Sequence, residues 1–205
     1  MTELDEKRQQ VFVSWERQRT KTSWDGSGGE RHDRVVQKMR EVLSSDSDFP
    51  SLQPAARTRL AAARTLARNT GLLSHALHAV NARKTLLLPW QGTQTHQTLR
   101  AIMTLLLARQ STPGAAENDT PFGLMLGLGA AEVMDLLRKL PSEDALREGL
   151  LEAARTQDEP TGPNKFDPPV PHELLAEAQI ADVLNLPAAT AVLQSAAASG
   201  AKLLG

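Results

Sequence analysis

The chain has 205 residues, of which 40% are apolar and only 3% aromatic, and it contains no cysteine. This length predicts one domain or two small ones, and the lack of cysteine excludes disulfides, thiolate zinc sites and a cysteine nucleophile. The net charge is −1, but residues 46–110 carry eight Lys or Arg against two acidic residues, whereas residues 111–205 carry six against fourteen. With no run of about 18 apolar residues and no signal peptide, we expect a soluble, cytoplasmic protein without a membrane partner.

A short strand pair and a glycine-rich connector are predicted at the N-terminus. In residues 9–15, Val11, Val13 and Trp15 alternate with Phe12 and Ser14, which predicts a short strand, and "TELD" is its candidate hairpin partner with residues 5–8 as the turn. The following "GSGG" begins like a phosphate-binding loop, but it leads into Glu30 and no Gly-Lys pair follows. Because Glu30 would repel a phosphate, we assign residues 1–28 to a β-hairpin fragment and a flexible connector.

The fold class predicted for the chain is α+β, mostly helical with a few short strands. In residues 29–158, the apolar spacing predicts helices at 29–45, 54–70, 92–109, 130–140 and 142–156, with Gly71 ending the second. Short strands are predicted near 83–90 and 121–128. Residues 159–205 are predicted to form a proline-rich linker and C-terminal helices, the last of them over residues 187–204.

An arginine stripe is predicted on the helix at residues 54–70. Arg57, Arg64 and Arg68 fall within about 40° of one another on a helical wheel, and residues 49–116 contain no acidic side chain. With Lys84 and Arg100 nearby in sequence, this stripe is suited to neutralising the phosphates of DNA or RNA. The alternative is that it packs against the acidic end of the chain. The side of the helix predicted to lie opposite the stripe contains Leu60, Ala63, Leu66 and Ala67.

A second candidate nucleic-acid contact lies in "PWQGT", where the helix at residues 92–109 begins. Trp90 would stack on a base while the helix amides near Gly92 and Thr93 meet a phosphate. The alternative is that Trp90 is a buried core anchor. The nucleic-acid-binding residues expected from the sequence are therefore Arg57, Arg64, Arg68, Lys84, Trp90, Thr93 and Arg100.

No combination of residues in the sequence predicts catalysis. His32 and Asp33 are neighbours, and neighbouring helical residues point apart instead of converging in a cleft. His75 and His78 have a spacing that brings metal ligands together on a helix, but two ligands do not complete a site. We expect no catalytic residue, metal or cofactor in this chain.

Three stretches together resemble one protein family. They are "WDGSGGERHDRVVQKMREVL", "LLLPWQGTQTHQTL" and "KFDPPVPHELLAEAQIADVLNLPAA". In this order they are similar to the C-terminal accessory region of Lhr-like DEAD/DEAH-box helicases of superfamily 2, and "ELDEKRQQVFV" resembles the strand pair that precedes the glycine loop there. The resemblance implies an ATP-dependent motor of two RecA-like domains outside this region. The chain has no Walker A sequence, so ATP and magnesium would act only through a separate motor.

The resemblance implies a nucleic-acid-binding accessory part of a helicase, present as a split subunit or a truncated chain. Its partners would be DNA or RNA and a RecA-type motor subunit, and residues 29–158 would be its accessory domain. The alternative comes from a different class: a non-catalytic structural or protein-interaction module whose basic and acidic parts satisfy one another.

Overall fold

The computed structural model describes residues 3–5, 10–12, 30–109, 118–120, 122–156 and 171–204. Within these ranges the protein is α+β and mostly helical, as predicted. In chain order the elements are β1 (Glu3–Asp5), β2 (Gln10–Phe12), α1 (Asp33–Ser44), α2 (Pro54–Thr70), β3 (Leu77–Asn81), β4 (Lys84–Leu87), α3 (Thr93–Arg109), β5 (Asn118–Thr120), β6 (Gly123–Leu126), α4 (Ala130–Arg138), α5 (Glu143–Arg155), α6 (His172–Ala178), a π-helical turn (Gln179–Val183), α7 (Leu186–Ser199) and β7 (Ala201–Leu203).

The strands form two sheets in the described part of the chain. β1 and β2 pair antiparallel, with Glu3 opposite Phe12, which confirms the predicted N-terminal strand pair. The other strands form a five-stranded sheet in the order β5-β6-β4-β3-β7. All neighbours in it are antiparallel except β7, which follows α7 and lies parallel to β3 at one edge.

One face of the five-stranded sheet borders the hydrophobic core. Leu87 of β4 lies between Leu77 of β3 and Leu124 of β6, and all of them are at most 1% exposed. Because paired residues on neighbouring strands point the same way, these leucines share a face. They belong to one core cluster with residues of α3, namely Leu99, Ile102, Met103, Leu106 and Leu107.

Helix α3 is at the centre of the helical layer. It packs against α5 and α7, and α4 packs on α7. Val133 of α4, Leu146 of α5 and Leu193 of α7 are completely buried in the same cluster as α3. The described elements after residue 159 therefore share one core with residues 77–155.

Local sequence signals explain where several helices begin and end. α2 starts with Pro54, which has no N–H to leave unbonded, and ends at Gly71, whose left-handed φ of 69° suits glycine. Ser142 caps α5 by accepting a hydrogen bond from the Ala145 N–H. α7 ends at Gly200, whose φ is 74°, and the chain continues as β7. The prediction of a helix through residue 204 was therefore wrong.

The sequence predicted only part of the sheet. The strands expected near residues 83–90 and 121–128 are confirmed as β4 and β6, but β3, β5 and β7 were not predicted. The predicted glycine-rich connector and most of the proline-rich linker lie outside the described residues. Within the described ranges, no helix combines the length and apolar character that crossing a membrane requires.

Candidate interaction surface

The arginine stripe (Arg57, Arg64 and Arg68) packs against the loop between α1 and α2. Arg57 donates to the carbonyl of Leu52 at 3.1 Å and to that of Pro50 at 2.6 Å. The guanidinium of Arg57, which we predicted to bind phosphate, is therefore hydrogen-bonded to backbone carbonyls of this loop.

Arg64 makes the most contacts of the three arginines. Its Nε donates to the Val42 carbonyl at 3.1 Å, and its Nη2 donates to the Ser47 carbonyl at 3.0 Å. Its guanidinium also lies 5.8 Å from the centre of the Phe49 ring. Arg64 therefore joins the C-terminal end of α1 to α2.

Arg68 forms an ion pair with Asp46. The hydrogen bond from Arg68 and then its charge hold the pKa of Asp46 below its ordinary value. The two side chains are 47% and 83% exposed, so solvent screens the pair and its contribution to stability is small. Among the described residues the stripe pairs with its own preceding loop, and no ion pair joins it to the acidic end of the chain.

The side of α2 opposite the arginine stripe was expected to be buried, but it is only partly buried. Leu66 is 61% exposed and Ala63 is also exposed, whereas Leu60 is partly buried and Ala67 is buried. The helix is instead attached to α1 through the edge that contains Arg64. A basic residue whose guanidinium finds carbonyl acceptors can face a packed loop, which the helical wheel does not reveal.

Trp90 lies in a strained turn before α3. Its φ is +53°, which is uncommon for a bulky residue, and it is half-buried with its indole N–H donating to the Leu72 carbonyl at 3.3 Å. The turn thus fixes the ring against the segment that follows α2.

The N-terminus of α3 is bound by the segment that leads into α1. The Gly92 N–H donates to the Asp33 carboxylate at 2.5 Å, the Thr93 N–H donates to the Arg31 carbonyl at 2.8 Å, and the Arg31 N–H donates to the Thr93 hydroxyl at 2.9 Å. We call Arg31, Asp33, Gly92 and Thr93 the clamp. A Cβ at Gly92 would collide with the backbone of residues 31–33. The backbone amides that we predicted to bind a phosphate already donate to groups of the chain itself, and one of these acceptors is a carboxylate.

The remaining predicted contacts lie on other elements. Lys84 begins β4 and is half-buried, and Arg100 is exposed on α3. Both have intramolecular interactions. The seven predicted residues are therefore distributed over α2, the loop before α3, β4 and α3, and only the stripe and the Trp90–Thr93 turn form local groups.

His75 and His78 do not share a helix. His78 is on β3, fully buried, and its Nε2 lies 3.0 Å from the His75 carbonyl oxygen. Burial lowers the pKa of His78 from its ordinary value, and the His75 carbonyl opposes this shift. Within the described ranges, no three His, Asp or Glu side chains converge on a possible metal position.

A surface that the sequence did not predict runs along α1. Within this helix only Val36 is buried, whereas Val35 is 54% and Met39 40% exposed. They belong to an open, mainly apolar strip along one side of α1, which we call the α1 groove and which is lined by Arg34, Val35, Lys38, Met39, Val42 and Leu43. A sequence signal did exist: Val35 and Val36 are 100° apart on the helix, so a single packed face does not cover both.

No protein-family model, curated protein or solved structure matches the chain. The resemblance to helicases therefore stays a prediction.

Proposed function

We propose that this chain is a non-catalytic, cytoplasmic protein-interaction module that binds a partner protein through the α1 groove and has no cofactor of its own. The observation that carries the proposal is the exposure of Val35 and Met39 on a helix with a single buried residue. Complete burial of a fully exposed side chain of this kind is worth about 1.5–3 kcal/mol, and Val35 and Met39 would gain the share of this that their exposed part represents. A groove lined by neighbouring apolar side chains is typical of an interaction site, whereas isolated exposed apolar residues are ordinary.

Contacts at both ends hold α1 in place. Its first turn is fixed to α3 by the Asp33 carboxylate of the clamp, and its last turn is bonded through the Val42 carbonyl to Arg64. Between them, Arg40 donates to the Leu73 carbonyl at 2.6 Å. A helix held in this way presents its apolar side chains without an ordering cost at the moment of binding.

A second proposal is a nucleic-acid-binding accessory role beside a RecA-type motor, in which ATP and magnesium act only in the motor. It is supported by the basic charge of residues 46–110 and by the exposure of Arg57 and Arg68. The intramolecular acceptors of the stripe and the clamp weigh against it. The two proposals are compatible if the motor subunit is the protein that fills the α1 groove.

Site-specific photo-crosslinking in living cells of the source organism tests the first proposal. A photo-reactive amino acid replaces Met39 in one version of the protein and Gln37 in the other. Gln37 is exposed on the same helix but points away from the groove, so it is a matched control. We expect a discrete adduct that is sensitive to protease and resistant to nuclease from position 39 only. The same adduct from both positions, or none from position 39, contradicts the proposal.

Binding to labelled single- and double-stranded DNA and RNA tests the second proposal. Binding that weakens with salt and is lost in Arg57→Gln/Arg68→Gln would support it, because each lost phosphate contact removes part of the salt dependence. Arg138→Gln is the control, since Arg138 pairs with Asp135 on α4, in the acidic third of the chain. Equal binding by both variants and the original protein would show that the stripe has no part in it.

A further inference from the structure

The α1 groove is built on one helix, and this limits what can fill it. An added β-strand needs free N–H and C=O groups at an edge, but the backbone groups in the middle of α1 are bonded to one another. Strand addition along α1 is therefore excluded, whereas an α-helix, which satisfies its own backbone, can lie along α1 through side-chain contacts alone. Val35, Met39 and Val42 follow at i, i+4 and i+7 and span about 10 Å, the length of two helical turns.

One border of the groove is basic. Arg34 and Lys38 are one turn apart on α1, and both are exposed. Lys38 pairs with Glu41 at 2.8 Å, but each side chain is 65% exposed, so the pair is weak and easily exchanged. Arg34 forms no ion pair with another described residue.

We propose that the occupant of the α1 groove is an amphipathic helix of a partner protein, with an apolar stripe bordered by carboxylates. This inference rests on the proposed interaction function. The apolar stripe of the partner packs on Val35, Met39 and Val42, and its Asp or Glu residues pair with Arg34 and Lys38. Complementary charges of this kind determine the specificity for the partner and its orientation more than they increase the affinity.

Two other occupants fit the groove less well. A second copy of the chain would place the basic border of one α1 beside that of the other when the two helices run parallel, and like charges side by side oppose association. An antiparallel pair would set Arg34 near Glu41, so a dimer is one of the outcomes that overturn the inference. Nucleic acid would find positive charge at Arg34 and Lys38, but the aliphatic and thioether side chains of the groove offer no aromatic ring on which a base can stack.

Fluorescence anisotropy with the full chain and synthetic peptides tests the inference. The first peptide is a helix with leucines at i, i+3, i+4 and i+7 and glutamates on both borders. The second keeps the leucines and carries lysines in place of the glutamates, and the third contains the residues of the first in scrambled order. We expect the first to bind at least about tenfold more tightly than the second and the third to show no binding.

Variants of the protein locate the binding. Met39→Asn should abolish binding of the acidic helix, and Arg34→Glu/Lys38→Glu should reverse the preference toward the lysine-bordered helix. Gln37→Glu, outside the groove, should change the affinity by less than about twofold. The altered side chains are exposed, so circular dichroism should show the same fold for every variant.

Several results would overturn the inference. They are equal binding of the two helices, binding of the scrambled peptide, no binding at about 1 mM peptide, or a dimer of the chain that Met39→Asn dissociates. If position 39 crosslinks to a protein but the acidic helix does not bind, the interaction function stands and the helical partner is wrong. If neither occurs, both proposals fail.

Discussion

Helices α1 and α3 both carry periodic apolar residues, yet only one of them is buried. α3 packs against α5 and α7 and shares the core cluster with the leucines of the sheet, and Leu99, Ile102 and Met103 are completely buried. α1 packs against α2 and the clamp, and only Val36 is buried in it. Periodicity identifies the face of a helix that can be buried, whereas the neighbouring elements decide whether it is buried.

In helix α2, too, the neighbouring elements and not the residue pattern decide which side is covered. Its arginine edge, which the wheel marks as the solvent face, is fixed to the loop between α1 and α2, and Leu66 is exposed instead. These contacts hold α2 to α1, and the hydrogen bonds of the clamp join α1 to the start of α3. α3 itself is held by apolar packing.

The largest expected effect is the loss of a core leucine from α3. Leu99→Ala should lower the free energy of unfolding by about 2–5 kcal/mol, because it removes buried methyl groups and leaves a cavity. Met39→Ala on α1 should lower it by about 1 kcal/mol at most, because 40% of this side chain is already exposed and its loss leaves no enclosed cavity. Urea unfolding of both variants checks this. Similar losses would mean that α1 is covered in solution.

The next effect is expected at the clamp, where α1 and α3 meet. Gly92→Ala should lower the free energy of unfolding by about 1–3 kcal/mol, because the new methyl group meets backbone at residues 31–33 and not a side chain that can move. Hydrogen exchange should become faster in α1 while the middle of α3 stays protected. Gln91→Ala is the neighbouring control. Unchanged exchange in α1 would show that the clamp does not hold this helix.

A smaller effect is expected at the other end of α1. Arg64→Ala should cost about 1–2 kcal/mol of stability, because the part-buried Val42 carbonyl loses its charged donor, whereas water can replace the donor at the exposed Ser47 carbonyl. Arg59→Ala, an exposed arginine on the same helix, should stay within about 0.5 kcal/mol of the original protein. Urea midpoints decide between them. Equal effects would mean that the stripe is as solvated as the sequence suggested.

The fold could be predicted from the sequence where local signals agree with packing. The apolar spacing of α3, Gly71 after α2 and Ser142 before α5 each specify their structure locally. β7 could not be predicted, because Ala201–Leu203 becomes a strand only through pairing with β3, far away in the sequence. The helical propensity of the alanines before it favoured a longer helix.

The candidate site was less predictable. The partners of Arg57 and Arg64 are mainly backbone carbonyls, which every residue has, so composition gives no sign of them. The exposure of Met39 depends on the absence of a described element over α1, which the helix's own residues do not encode. The adjacent apolar pairs Val35–Val36 and Val42–Leu43 were the local indications that α1 has apolar residues beyond its buried face.

The smallest expected effect is a pH dependence of stability, and it arises from His78 on β3 and not from α1. Burial lowers the pKa of His78, so below about pH 6.5 the unfolded chain takes up a proton that the native state refuses. Stability should be complete above this pH and fall as the pH decreases from it. Because the chain has five histidines, the measured quantity is the difference between the original protein and His78→Gln in urea midpoints from about pH 8 to 5.5.

The urea midpoint of the original protein should fall relative to that of His78→Gln as the pH decreases, because the variant lacks the group that titrates. The affinity of the α1 groove should be the same in both proteins, since no histidine lines that groove. A glutamine side chain is neutral at every pH used and can still donate to the His75 carbonyl. Parallel curves for the two proteins would mean that native His78 accepts a proton as readily as the unfolded chain does. Strand β3 would then be open to water beside β7, and the contrast between a closed core and an open α1 would be weaker than the structure indicates.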